Sequence, residues 1–270
     1  MDHLRLSDDS AVVDLPPSRW LRECAGTPAP GPLRALLVLL PHAGGAAYTY
    51  RSWVPALPEG VTALAVEYPG HGTRMRESPS ADLDGVVTEL ADVLTGVQDA
   101  LDGRRLVLGG HSLGALLAHE VAGALQDRGR PAPDLFLSAA PPPHRRAGLP
   151  DLTRLDDDAL AEALGDRGDL PREILADVEA RALYLPMIRH DLVLARRYGS
   201  DTRPATTVVR TRAVVVGGAQ DDRCPTGDLA AWTDLIDGPT QVTVLPGGHF
   251  YYRDQLDVVG RLIDGLVTAP

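Results

Sequence analysis

The chain has 270 residues, of which 44% are hydrophobic, and a formal charge of −11 at neutral pH. This length and apolar content are sufficient for one large α/β domain with a continuous buried core. The charge argues against nucleic acid as a partner, because no run of basic residues offsets the repulsion from phosphate.

The cysteines and the N-terminal residues indicate in which cellular compartment we expect the protein. Cys24 and Cys224 lie far apart and not in a metal-ligand spacing, so we expect neither a disulfide framework nor a metal site. The opening MDHLRLSDDS has no basic stretch followed by an apolar one, and no apolar run is long enough for a bilayer span. We therefore expect a cytoplasmic protein without membrane contact and without a cofactor.

Residues 1–19 are predicted to be a poorly ordered N-terminal extension, because they include a Pro-Pro pair and no long apolar run. The rest of the chain, 20–270, is predicted to form one α/β domain.

Short apolar runs recur along this domain and predict buried parallel strands. They are ALLVLL (35–40), TALAVEY (62–68), RLVLGG (105–110), DLFLSAA (134–140), RAVVVGG (212–218) and QVTVLPG (241–247). Residues 82–100 and 113–128 have apolar positions three and four apart, which is typical of amphipathic helices. The alternation predicts a mostly parallel central sheet flanked by helices.

One interval interrupts this alternation. After the breaker PPPHRR, the chain continues to about residue 210 without a convincing strand, and its sequence favours several helices. We interpret residues 141–205 as a helical lid inserted into the domain.

The stretch GHSLG places Ser112 in the pattern G-x-S-x-G, between the strand RLVLGG and the helix that begins LGALLAHE. A strand, a sharp turn and a helix are the context in which such a serine projects above the sheet as a nucleophile. Taken alone, the same serine could be a helix cap.

A serine nucleophile needs a base, and in this architecture the base follows the last strand. His249, in LPGGHF, is the last histidine of the chain and directly follows the strand at 241–247. The imidazole also needs a carboxylate. In this architecture the chain order is serine, acid, histidine, so the acid follows a strand that precedes the last one. Asp221 and Asp222 both satisfy this requirement, so spacing alone leaves the two open, and we favour Asp221.

An oxyanion hole needs two backbone N–H donors, one of them from the residue after the nucleophile. This residue is Leu113, and the second donor is expected from the PHAGG loop (residues 41–45), which follows the strand at 35–40. We predict Ala43 as that donor.

Together, LLPHAGG, EYPGHG, GGHSLG, GGAQDD and LPGGHF resemble the type II thioesterases that accompany polyketide and nonribosomal peptide synthetases, which have the α/β-hydrolase fold. The similarity runs from about Trp20 to the C-terminal helix. It implies Ser112 as nucleophile, Asp221 as acid, His249 as base, and Ala43 with Leu113 as the oxyanion hole. The family usually has an arginine after PG, where this chain has His71.

The resemblance implies that the chain releases acyl groups from the phosphopantetheine arm of acyl or peptidyl carrier proteins. Such carriers are acidic, so a docking patch on this acidic chain has to be locally basic. The candidates lie in three arginine pairs, Arg74 and Arg76, Arg128 and Arg130, and Arg145 and Arg146. Two other readings stay open: a general carboxylesterase, and a catalytically idle binding protein of the same fold.

Overall fold

The computed structural model describes residues 4–7, 12–24, 31–80, 82–146, 150–198 and 207–269. The strands are β1 (Leu4–Ser7), β2 (Val12–Leu15), β3 (Leu21–Glu23), β4 (Ala35–Leu40), β5 (Val61–Val66), β6 (Arg105–His111), β7 (Asp134–Ser138), β8 (Ala213–Gly218) and β9 (Thr240–Leu245). The α-helices are α1 (Leu83–Leu101), α2 (Leu113–Asp127), α3 (Asp157–Asp166), α4 (Arg172–Ala176), α5 (Val178–Arg197), α6 (Thr226–Leu229) and α7 (Leu256–Thr268).

The central sheet has seven strands in the order β3-β5-β4-β6-β7-β8-β9. Only β3 is antiparallel to its neighbour, and the other strands are parallel. The predicted mostly parallel sheet is confirmed, and each of the six predicted strands appears as one of β4 to β9. Because β6 is the middle strand, Ser112, which follows it, lies at the centre of the carboxyl edge of the sheet.

Both faces of the sheet are covered. In β4, Leu36, Val38 and Leu40 pack in the core that includes α1 and α2. Leu37 and Leu39 pack in the opposite core, which includes α7 and a 3-10 helix at Ala47–Ala56. This alternation follows from the two-residue period of a strand, and it explains why β4 is apolar throughout.

Part of the N-terminal stretch is regular structure. Strands β1 and β2 pair as an antiparallel hairpin, and Val13 and Leu15 are buried in the core that includes α1. The two apolar side chains alternate with Asp14 over too few residues to give a recognisable strand pattern in the sequence. The remainder of this stretch, 1–3 and 8–11, lies outside the described residues.

The segment between β7 and β8 is helical, as the lid prediction requires, and contains α3, α4 and α5. We call its described residues, 141–146 and 150–198, the helical insertion. It has a small apolar core of its own, to which Leu160, Leu164, Leu185 and Ile188 contribute. Residues 147–149 and 199–205 of the predicted lid lie outside the described residues.

In the described part of the chain, every helix is too short or too polar to cross a bilayer.

Candidate active site

Ser112 occupies a strained turn between β6 and α2. Its backbone has φ +55° and ψ −117°, a conformation that residues other than glycine rarely adopt and that is concentrated at functional sites. The two flanking residues have to be glycines, because backbone atoms of neighbouring segments occupy the space that a Cβ would need. A Cβ on Gly110 would lie 2.1 Å from the carbonyl carbon of Gly114, and one on Gly114 would lie 1.9 Å from the carbonyl oxygen of Leu40.

We expect Gly114→Ala to distort this turn, because its new methyl group would meet backbone atoms that cannot rotate away. The free energy of unfolding, measured by urea denaturation, should fall by about 1–3 kcal/mol. Ser112 should also be displaced, which would lower the activity. Gly265→Ala is the matched control, because that helical glycine has no atom within 4 Å of an added Cβ. A Gly114→Ala protein as stable and active as the control would contradict this interpretation of the turn.

His249 is held by Asp221. The Nδ1 of His249 is 2.8 Å from Oδ2 of Asp221, and both residues are buried. The other carboxylate oxygen of Asp221 accepts the backbone N–H of Arg223 at 2.9 Å. Asp222 is exposed, so of the two aspartates left open by the sequence, Asp221 is the one beside the imidazole.

The second nitrogen of His249 is available for chemistry. Its Nε2 is buried and has no hydrogen-bond partner among the described residues. Burial lowers the pKa of His249 well below its usual range, and Arg223, His42 and Arg167 lower it further. The imidazole is therefore neutral at neutral pH, with Nδ1–H donated to Asp221 and a free lone pair on Nε2. This is the state that a general base requires.

Among the described residues, Leu113 and Ala43 have backbone N–H groups near Ser112 that make no hydrogen bond to another described residue. Leu113 is the first residue of α2, where the backbone N–H has no partner within the helix. Within the described residues, the N–H of Ala43 in the PHAGG loop also donates no hydrogen bond. Both residues line the cavity that Ser112 lines, so they are suitable donors to an oxyanion formed there.

The structure brings all five predicted residues to one cavity or to its wall. Ser112, His249, Ala43 and Leu113 line a cavity of about 140 Å³, and Asp221 supports His249 from behind. The helical insertion contributes apolar side chains to the lining of the same cavity. These are Leu152, Leu164, Ile188, Leu192 and Ala195.

Sequence reasoning missed three residues that support the site. Arg223 donates to Asp169 of the insertion at 2.7 Å, and Asp191 of α5 accepts from the PHAGG loop. Arg223 stands two residues after Asp221, a spacing at which an aspartate commonly binds the backbone, so its N–H contact was recognisable. No sequence signal pairs Asp169 or Asp191 with partners more than fifty residues away.

The fold and the strained serine turn define an α/β-hydrolase. Residues 35–266 match the family described as Thioesterase domain, and the chain belongs to this family.

Several known proteins are similar to the chain. Phenyloxazoline synthase MbtB of Mycobacterium tuberculosis is 33% identical over 246 residues, which is 90% of this chain and only 16% of that protein. Thioesterase PikA5 of Streptomyces venezuelae is 33% identical over 231 residues, covering 84% of this chain and 79% of that protein. The solved structure of the type II thioesterase BorB, from the borrelidin biosynthetic cluster, has a TM-score of 0.76 and 30% identity, and the match covers 92% of this chain and 97% of that one. These similarities confirm the resemblance to type II thioesterases.

Proposed function

We propose that the chain is a type II thioesterase of polyketide or nonribosomal peptide biosynthesis that hydrolyses acyl thioesters on the phosphopantetheine arms of carrier proteins. Aberrant or stalled acyl groups are the substrates that this function implies. The observation that carries the proposal is the geometry of His249, whose Nδ1 contacts Asp221 and whose Nε2 has no partner among the described residues, in the same cavity as a serine on a strained turn. The similarity to PikA5 and BorB supports the substrate class.

In the first half-reaction, Ser112 Oγ attacks the thioester carbonyl while His249 Nε2 takes the hydroxyl proton. Asp221 keeps the Nδ1–H in place and stabilises the imidazolium that forms. The oxyanion accepts hydrogen bonds from the N–H groups of Ala43 and Leu113. The C–S bond then breaks, the thiol of the arm leaves with a proton from His249, and the acyl group remains on Ser112.

In the second half-reaction, water replaces the arm. His249 takes a proton from the water as it attacks the acyl-serine ester, and returns a proton to Ser112 Oγ as that bond breaks. The products are a free carboxylic acid and the regenerated serine. The apolar side chains of the insertion that line the cavity provide room for the acyl chain and limit the access of bulk water.

The arginine pairs proposed as carrier contacts differ in their availability. Arg74 is buried, its guanidinium stacks on the Trp20 ring at 4.7 Å, and it therefore offers no surface charge. Arg128 and Arg130 both pair with carboxylates of α1. Arg76 and Arg145 are both exposed, and Arg145 lies between Pro141 and Arg146, which line the cavity, so Arg145 is the candidate cation nearer in sequence to the cavity.

The substrate class is tested with one acyl group presented in three ways: on a carrier arm, as a small N-acetylcysteamine thioester, and as an oxygen ester. We expect kcat/KM for the carrier to exceed that for the small thioester by roughly 10-fold or more, because protein and arm contacts add binding that the transition state retains. A general carboxylesterase would show no gain from the carrier and would cleave the oxygen ester as readily. That result would overturn the proposal.

A further inference from the structure

A buried ion pair connects the helical insertion to the PHAGG loop. Asp191 of α5 accepts two hydrogen bonds on the same carboxylate oxygen: the Gly44 backbone N–H at 2.7 Å and Nε2 of His71 at 2.9 Å. His71 and Asp191 are only 1% and 3% exposed. Gly44 directly follows Ala43, whose N–H is the proposed oxyanion donor, so the pair contacts the PHAGG loop one peptide away from the reacting atoms.

The hydrogen-bond partners of His71 determine its charge. Nδ1 of His71 is 3.1 Å from the carbonyl oxygen of Pro69, and Nε2 contacts the Asp191 oxygen that already accepts from Gly44. Both oxygens are acceptors, so both ring nitrogens must carry hydrogen. The His71 side chain is therefore an imidazolium, and the pair is ionic.

The charges near His71 are consistent with this state. Five titratable or charged side chains besides Asp191 lie around the His71 ring. They are Glu67 and Tyr68 after β5, His42 of the PHAGG loop, Arg74 of the turn after His71, and His190 of α5. Burial would lower the pKa of His71, but the hydrogen bond and charge of Asp191, with smaller contributions from Pro69 and Glu67, raise it above its usual value. Glu67 is also neutralised by Arg22, whose Nε lies 3.3 Å away.

The PHAGG loop has little freedom to compensate if the pair is lost. Gly44 has φ +77°, and a Cβ there would lie 2.5 Å from a side-chain carbon of Ile188 on α5. Helix α5 thus packs directly against the loop, and Asp191 provides a specific polar contact across that interface.

We propose that His71 and Asp191 are a positioning pair that holds the PHAGG loop, and with it the oxyanion donor Ala43, against helix α5 in a protonation-dependent way. The inference rests on the proposed function for the role of Ala43. It assigns a role to His71, which serves as a titratable cation that holds the oxyanion loop. Catalysis is therefore sensitive to alkaline pH.

The direction of the pH dependence follows from the protonation state of His71. Because its pKa is raised in the folded protein, the ionic pair is fully formed below about pH 6.5, the ordinary value for histidine. The pair is lost as the pH rises through the pKa of His71 in the folded protein. A neutral His71 would leave Asp191 buried without a cation and would turn a lone pair toward either Pro69 or Asp191.

The test measures kcat and KM for a short acyl thioester of N-acetylcysteamine from about pH 6, near the ordinary histidine pKa, upward to about pH 9.5. The rate with Ser112→Ala is subtracted as background. The variants are His71→Arg, His71→Gln and Asp191→Asn. The control is His144→Gln, which removes a histidine–carboxylate pair of the same kind, 3.1 Å long, from the surface.

For the wild type and the control, kcat should decline on the alkaline side. His71→Arg should abolish that decline, because a guanidinium stays charged throughout the range. His71→Gln and Asp191→Asn should lower kcat roughly 10- to 100-fold at the pH optimum with KM within about 2-fold, as expected for a displaced rather than a removed oxyanion donor. An alkaline decline that persists unchanged in His71→Arg, or a wild-type kcat in His71→Gln, would overturn the proposal.

Two further measurements separate the possible failures. Thermal unfolding of each variant shows whether it folds, and if His71→Gln does not, the pH profile of His71→Arg decides. The rate at which a fluorophosphonate labels Ser112 depends on the oxyanion hole but not on thioesters or carriers. Labelling that is slowed in His71→Gln would support the positioning pair even if the wild type failed to cleave carrier thioesters, a result that would overturn only the proposed function.

Discussion

Ser112→Ala should lower the rate of acyl-thioester hydrolysis by roughly three or more orders of magnitude. The change removes the hydroxyl that we propose as the nucleophile, and His249 then has no Ser112 proton to accept. The residual rate should come from the oxyanion donors and substrate binding, so KM should change little. The measurement is steady-state hydrolysis of a short acyl thioester, supported by fluorophosphonate labelling followed by peptide mapping.

The matched control is Ser52→Ala, because Ser52 is an exposed serine outside the cavity. We expect this variant to keep wild-type activity and to be labelled by the probe, and Ser112→Ala to lose both properties. Hydrolysis that persists in Ser112→Ala at more than a few per cent of the wild-type rate would show that another group is the nucleophile.

Asp221→Asn should lower kcat by about 10³- to 10⁴-fold. An asparagine can present its NH₂ group to Nδ1 of His249, which moves the imidazole hydrogen to Nε2, the position that has to accept the Ser112 proton. The side-chain volume is nearly unchanged, so the effect should reside in kcat, and the melting temperature should be compared as a check on folding.

Asp222→Asn is the control for this change, since the two aspartates are adjacent in sequence but Asp222 is exposed. Its kcat should remain within about 2-fold of the wild type, as is usual for surface substitutions. If Asp222→Asn were the inactive variant and Asp221→Asn the active one, the hydrogen bond between Asp221 and His249 would not have the role we assign to it.

The parts of the site that were predictable depend on contacts close in the chain. The turn at Ser112 is bounded by a strand and a helix with recognisable patterns, and glycines flank it. His249 follows the last strand directly, and chain order therefore identified it. The choice between Asp221 and Asp222 needed side-chain directions, because two neighbours in a turn face different ways and spacing does not tell which one is buried.

The contacts from the helical insertion could not be predicted in this way. Asp191 is 147 residues from Gly44 along the chain, and its helix is amphipathic whether or not it packs on the PHAGG loop. The sequence identified His71 only as a departure from the usual arginine, and a structure was needed to show its partner. The hairpin of β1 and β2 was missed for a different reason, since its strands are too short to show a periodic pattern.

The most direct test of the central claim follows a carrier protein loaded with short and medium acyl chains by intact-protein mass spectrometry, with matched oxygen esters in parallel. With the wild-type enzyme we expect the acyl mass to disappear from the carrier, and rapid quenching should reveal the same acyl mass transiently on the enzyme at Ser112. With Ser112→Ala the carrier should stay loaded. A carrier that stays acylated in the presence of wild-type enzyme, while the oxygen esters are cleaved, would contradict the claim that this chain is a carrier-directed thioesterase.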